Sequence, residues 1–108
     1  MEFGVKGGPP VFVHTVLFWL KKNLRSDQVA AFLDGLESLR GVPSAKAVHI
    51  GTPSSTNRPV IDRSYTYGLT VIFDDLAQHD AYQADPVHLT FVQQHSKDWE
   101  RVVIYDFE

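Results

Sequence analysis

The chain has 108 residues and a mass of 12.2 kDa, enough for one domain with one core and not for two. Its 44% hydrophobic and 12% aromatic content argues against disorder. Ten Lys and Arg stand against thirteen Asp and Glu, for a net charge of −3 with no basic run, which argues against a nucleic-acid binder or a polybasic membrane binder. With no cysteine there is no disulfide framework, thiolate nucleophile, iron–sulfur site or Cys-ligated zinc.

The first ten residues, MEFGVKGGPP, lack the apolar segment of a signal peptide and read as a flexible leader, 1–10, ahead of one domain over 11–108. Val11 to Leu20 is rich in β-branched and aromatic residues and predicts a strand. It is interrupted by His14 and too short to span a bilayer, so a cytoplasmic domain is expected. Ser26 or Asp27 then caps a helix to about Arg40, with Val29, Phe32, Leu33, Leu36 and Leu39 in one apolar stripe. Gly35 inside that helix costs it roughly 1 kcal/mol against Ala and suits a close approach by another backbone. Ala45 to Gly51 reads as a short strand. Thr52 to Ser64 reads as a loop, long for so small a domain. Tyr65 to Phe73 is a clear strand. Asp74 or Asp75 caps a helix to Ala84, and Asp85-Pro86 restarts the helix, as N-cap and first helical position, through about Trp99. Val102 to Phe107 is the last strand.

This order is β-α-β-β-α-β with its second helix broken in two, the ferredoxin-like α+β arrangement of an antiparallel sheet with helices on one face. Alternation puts His14, Val16, Phe18 and Leu20 on one face of the first strand and Tyr67, Leu69, Val71 and Phe73 on one face of the third. Val13, Leu17, Trp19, Ile72, Val103, Tyr105 and Phe107 fall on the opposite face, which two helices on one side cannot cover. An apolar patch of that size is seldom left bare, so a homodimer packed through this sheet face is expected.

The segments VHTVLFWLK, RSYTYGLTVIFDD, AYQADPVHLTFV and VVIYDFE, in this order and spacing, resemble the stress-responsive dimeric α/β-barrel domain family over nearly all of Val11 to Glu108. That resemblance implies a two-sheet dimeric barrel, a fold that hosts several chemistries. One similar member type is the plant polyketide cyclase, which closes a linear tetraketide by an aldol condensation. Its catalytic Tyr and His correspond to Tyr82 and His88, and its strand-one His to His14. This chain departs from it with Tyr67 in place of a strand-three His and Asp85 in place of a His before the Pro.

The residues themselves allow a related reading. His88 falls in the first turn of its helix, on a face shared with Val92, His95 and Trp99 that meets the sheet. The positive end of the helix dipole disfavours imidazolium there and leaves a neutral ring suited to a general base. Tyr82 closes the preceding helix, and the Asp85-Pro86 break can turn its hydroxyl toward His88 to stabilise an enolate. Structural readings stand beside these: a histidine packed at a helix start, and a core aromatic with its hydroxyl at the rim. His14 is either a polar anchor in the pocket or a satisfied core histidine. Tyr65 and Tyr67 both alternate toward the cavity, His79 reads as solvated, and His95 as the deeper pocket wall. No carboxylate is expected beside His14 and His-x3-His is absent, so neither a metal nor a cofactor is anticipated.

The expected pocket, between sheet and helices, is lined by His14, Val16, Phe18, Phe32, Leu36, Tyr67, Leu69, Val71, Phe91, Trp99 and Ile104. The leading expectation is cofactor-free cyclase- or lyase-type proton transfer on a hydrophobic carbonyl compound, with His88 as base and Tyr82 as electrophilic partner. The alternatives are a non-enzymatic stress-response or small-ligand-binding protein and a cofactor-free monooxygenase. No Gly-x-Gly-x-x-Gly, phosphate-binding or Gly-x-Ser-x-Gly motif is present, which excludes hydride transfer and kinase chemistry.

Overall fold

The structure is a computed structural model that describes residues 10–108; the expected leader, Pro10 apart, lies outside the described residues. Strands β1 (Phe12–Leu20), β2 (Ala47–Gly51), β3 (Tyr67–Phe73) and β4 (Trp99–Phe107) and helices α1 (Ser26–Ser38), α2 (Leu76–Ala84) and α3 (Pro86–His95) follow one another in the predicted ferredoxin-like order. The four strands form one antiparallel sheet in the order β2-β3-β1-β4. Among the described residues no helix is long and apolar enough to cross a membrane.

Strict alternation along β1 does most of the positioning. Phe12, His14, Val16, Phe18 and Leu20 are buried beneath the helices, while Val13, Thr15, Leu17 and Trp19 are only half-buried on the other face. Register carries this division across the sheet: Val16 pairs with Leu69 and Ile104, and His14 with Val71 and Asp106. The closed core joins that face to α1 through Phe32, Leu36 and Leu39, all fully buried.

The helix boundaries show which local signals acted. Asp75 accepts from Gln78 N–H at 3.0 Å, and Asp85 from Val87 N–H at 2.8 Å with Pro86 behind it, so both acidic caps form as anticipated. The first helix departs from expectation. Arg25, not Ser26 or Asp27, holds the N-cap position, because the Gln28 side chain reaches back to accept the Arg25 backbone N–H at 2.8 Å. This helix also tightens into a 3-10 turn over Leu39–Gly41 instead of continuing to Arg40.

The last helix ends at His95, and a 3-10 turn over Ser96–Asp98 leads straight into β4. Trp99 is therefore the first residue of a strand and not the last of a helical face. The loop after β2 is fastened to the end of β1. Thr66 N–H donates to the Phe18 carbonyl at 2.7 Å, Leu20 N–H to Thr66 Oγ1 at 3.0 Å, and Trp19 Nε1–H to Ser64 Oγ at 3.0 Å.

Candidate active site

A cavity of about 190 Å³ opens between α2, α3 and the helix-facing side of β1 and β4. Its apolar lining comes from Val16, Phe18, Leu69, Phe91, Val92, Trp99, Val102 and Ile104, and its polar groups are His14, Tyr82, Gln83 and His88. Few polar groups set in an apolar wall is the usual build of a small-molecule site, although this one is smaller than the roughly 300–1,000 Å³ of drug-sized pockets.

His88 is the third residue of α3, and its position follows from the Asp85-Pro86 restart. The break turns the chain so that the end of α2 and the start of α3 face each other, and the Tyr82 and His88 rings meet with centroids 4.6 Å apart. His88 Nδ1–H donates to the Gln83 carbonyl at 3.2 Å, which leaves the neutral ring's lone pair on Nε2. Burial lowers the His88 pKa below the ordinary imidazole value, against the opposing pull of that carbonyl; His14 lowers it further. The neutral ring anticipated from the helix dipole is thus favoured chiefly by desolvation. Tyr82 is buried, wedged against Phe73 at 5.1 Å, and desolvation pushes its phenol far above the ordinary tyrosine value. At neutral pH it is a hydrogen-bond donor only toward a ligand's oxygen, never a phenolate.

On the β1 side of the cavity, its ring edge-on to Tyr82 at 5.9 Å, His14 is 3% exposed and its Nδ1–H donates to Asp106 Oδ1 at 2.5 Å. Burial holds the His14 pKa below its ordinary value despite that carboxylate, with His79 acting in the same direction. The expectation that no carboxylate stands beside His14 is therefore overturned. Asp106 lies directly across the β1–β4 ladder from His14, so the two side chains share a face. His79 is likewise not solvated: its ring stacks on Phe12 at 4.6 Å and meets the edge of His14 at 5.2 Å.

Other anticipated residues lie elsewhere. Phe32, Leu36 and Val71 are fully buried in the closed core, because α1 packs down onto β3 and leaves no space between them. Tyr67 stacks on Phe32 at 6.0 Å, and Tyr65 falls before β3 begins and packs on Trp19 at 6.3 Å, on the opposite sheet face. His95 is buried between α1 and α3, its Nδ1 3.2 Å from Asp98 Oδ2, and does not line the cavity. Gln83, Val92 and Val102 line it beyond the expected set, although Val92 shares the sheet-facing side of α3 with His88. Val102 shares the strand face of Ile104, so the period-2 pattern already contained it; Gln83, in the last turn of α2, had no such signal.

The profile of the stress responsive A/B barrel domain family matches residues 12–108. A ferredoxin-like protein of that family from Mesorhizobium loti superposes with a TM-score of 0.74 at 26% identity, over 91% of this chain and 95% of its own. A dimeric ferredoxin-like protein of unknown function from Thermobifida fusca gives 0.74 at 20% identity, over 93% and 92%. The hydroxynitrile lyase from Passiflora edulis gives 0.76 at 22% identity, over 92% and 93%. No curated protein matches significantly. A profile match spanning all four strands and all three helices decides the question of kinship: the chain belongs to the stress responsive A/B barrel domain family.

Proposed function

We propose that this protein is a homodimer whose cavities carry out cofactor-free, lyase- or cyclase-type proton transfer on a small hydrophobic carbonyl compound. The observation that carries this reading is the neutral His88 ring, tied at Nδ1 to Gln83, lying against the buried Tyr82 phenol in an apolar cavity. His88 Nε2 takes a proton from the carbon beside the carbonyl, and the C–H pair moves onto the carbonyl oxygen as an enolate held by the Tyr82 hydroxyl. In the cleavage variant it takes the proton of a hydroxyl, whose O–H pair forms the C=O while the C–C pair leaves with the departing carbanion. The imidazolium then returns its proton to the product, so no oxidant or cofactor is consumed. His14 serves as a polar anchor.

The cavity's modest volume favours a compact substrate over an extended chain, which leans toward lyase chemistry. That a protein of this fold is a hydroxynitrile lyase is consistent with such use of the scaffold. The homodimer rests on the exposed apolar residues of β4 and on a dimeric relative of the same fold.

The test is hydrogen–deuterium exchange at the α-carbon of small apolar aldehydes and ketones in D₂O, followed by NMR, with cyanohydrin cleavage assayed in parallel. Turnover is expected to fall about 10²–10⁴-fold in His88→Ala and by roughly 10²–10³-fold in Tyr82→Phe. Compounds that bind in the cavity without exchange or cleavage in the unmodified protein would leave a ligand-binding protein instead.

A further inference from the structure

We infer that His14, His79 and Asp106 form a binding site for one divalent transition-metal ion of the zinc, cobalt and nickel group, which shares His14 with the cavity and uses neither His88 nor Tyr82 as a ligand. One ring nitrogen from each histidine and one carboxylate oxygen lie within 4.8 Å of one another. The three come from β1, α2 and β4, so the fold and not a local sequence motif assembles them.

Two imidazoles and a carboxylate are the donor set that suits these ions and not the all-oxygen preference of magnesium or calcium. Metal–ligand bonds of about 2.0–2.2 Å put neighbouring ligand atoms ~3–3.5 Å apart. At its widest the cluster exceeds that spacing by an ångström or so, and the 39% exposed Asp106 side chain can close its own 4.0 Å gap to His79 Nε2.

The surroundings point the same way. His79 Nδ1–H donates to Asp80 Oδ1 at 3.0 Å, which fixes the tautomer with the lone pair on Nε2. That nitrogen accepts from the Gln83 amide at 3.4 Å and faces Asp106 Oδ2, an acceptor, at 4.0 Å, so a metal ion there would displace only the amide. A carboxylate holding the far nitrogen of a histidine is the outer-shell arrangement typical of metal ligands. Phe12 and Phe73 pack on His79 and shield the cluster from water on the core side. Binding through His14 Nδ1 moves that ring's proton to Nε2 and so changes its tautomer without changing its charge.

The decisive measurement is titration of the metal-free, full-length protein with cobalt(II) chloride, read by its visible d–d absorption, with magnesium chloride as a competitor. One cobalt per chain is expected, undisturbed by equimolar magnesium and displaced by zinc. His79→Gln, which keeps much of the ring's packing volume, and Asp106→Asn, which retains a polar partner for His14, should each weaken binding at least tenfold. Circular dichroism establishes that both variants are folded, and a cobalt-induced rise in melting temperature should appear in the unmodified protein and vanish in both. No cobalt binding by the folded protein would overturn the site. So would binding of equal strength in the unmodified protein and both variants, which would mark adventitious surface ligation.

Discussion

His88 shows how one side chain couples stability to chemistry. The groups that face it are the Gln83 carbonyl, Asp85, His14, His79 and the Tyr82 ring, and burial outweighs the two among them that favour charge. Its folded-state pKa is lowered, whereas in the unfolded chain it titrates near the ordinary value of 6.5. The sign follows. Above pH ~6.5 both states are neutral and this residue adds no pH dependence. Below it the unfolded chain binds the proton first, so stability falls with falling pH until the folded-state pKa is passed. Thermal melts between pH 8 and 5 should therefore decline on the acid side, and His88→Gln should flatten that decline. An unchanged slope in the variant would mean that His88 is solvated and free to charge. The same lowered pKa extends the expected activity plateau to the acid side of 6.5, which gives a second and independent readout of the base.

At the scale of elements, the contact between α1 and α3 turns on one missing methyl group. A Cβ at Gly35 would stand 2.6 Å from Nε2 and 2.7 Å from Cδ2 of His95, and 3.1 Å from Phe91 Cδ1. The imidazole cannot simply swing aside, since Asp98 holds its Nδ1 at 3.2 Å and Phe32 packs against it. Helix propensity alone favours Ala by roughly 1 kcal/mol, whereas overpacking a filled interface costs about 1–3 kcal/mol. Gly35→Ala is thus expected to lose about 1 kcal/mol net and to lower the melting temperature by roughly 4–8 °C. A rise in that temperature would show that the ring has room to yield. Here the sequence announced a close approach, but the expected backbone neighbour is instead a side chain from a helix some sixty residues away.

The same boundary between local and long-range information runs through the whole candidate site. Caps at Asp75 and Asp85, the Pro86 restart and the alternation in β1 are decided within a few residues and were legible. The β1–β4 pairing is not local. Without the register that sets His14 opposite Asp106, the terminal Asp-Phe looks like a strand end and not a partner for a buried imidazole. His79 was hidden in another way. Its neighbours Gln78 and Asp80 are polar and exposed, yet it sits three residues before buried Tyr82, on the same inward face of α2. Phe32 and Leu36 were recognisably apolar and inward-facing. Whether such residues line a cavity or close it depends on how tightly a helix settles on the sheet, which periodicity does not encode.

For the molecule as a whole, the sheet poses the remaining physical problem. β4 is an edge strand, and it is apolar on both faces: Val102 and Ile104 toward the helices, Tyr105 and Phe107 on the open side, the last two 59% and 61% exposed. Val13, Thr15 and Leu17 continue the open face across β1, while the loop after β2 covers only its Trp19 end. An apolar face of this breadth on an edge strand is costly in water and invites pairing with another chain. A second copy related by a two-fold axis presents the same face in return, and a stable contact needs about 800 Å² from each partner. Light scattering during size exclusion should then give twice the 12.2 kDa chain mass. Placing glutamates at the two most exposed open-face positions, Tyr105→Glu with Phe107→Glu, should produce a folded monomer by burying like charges against each other across the axis. A variant that stays dimeric would move the interface away from this face, and a monomeric unmodified protein would end the dimer reading altogether. Neither residue lines the cavity, so a monomeric variant that has also lost turnover would mean that the His88–Tyr82 site depends on the partner subunit for its shape.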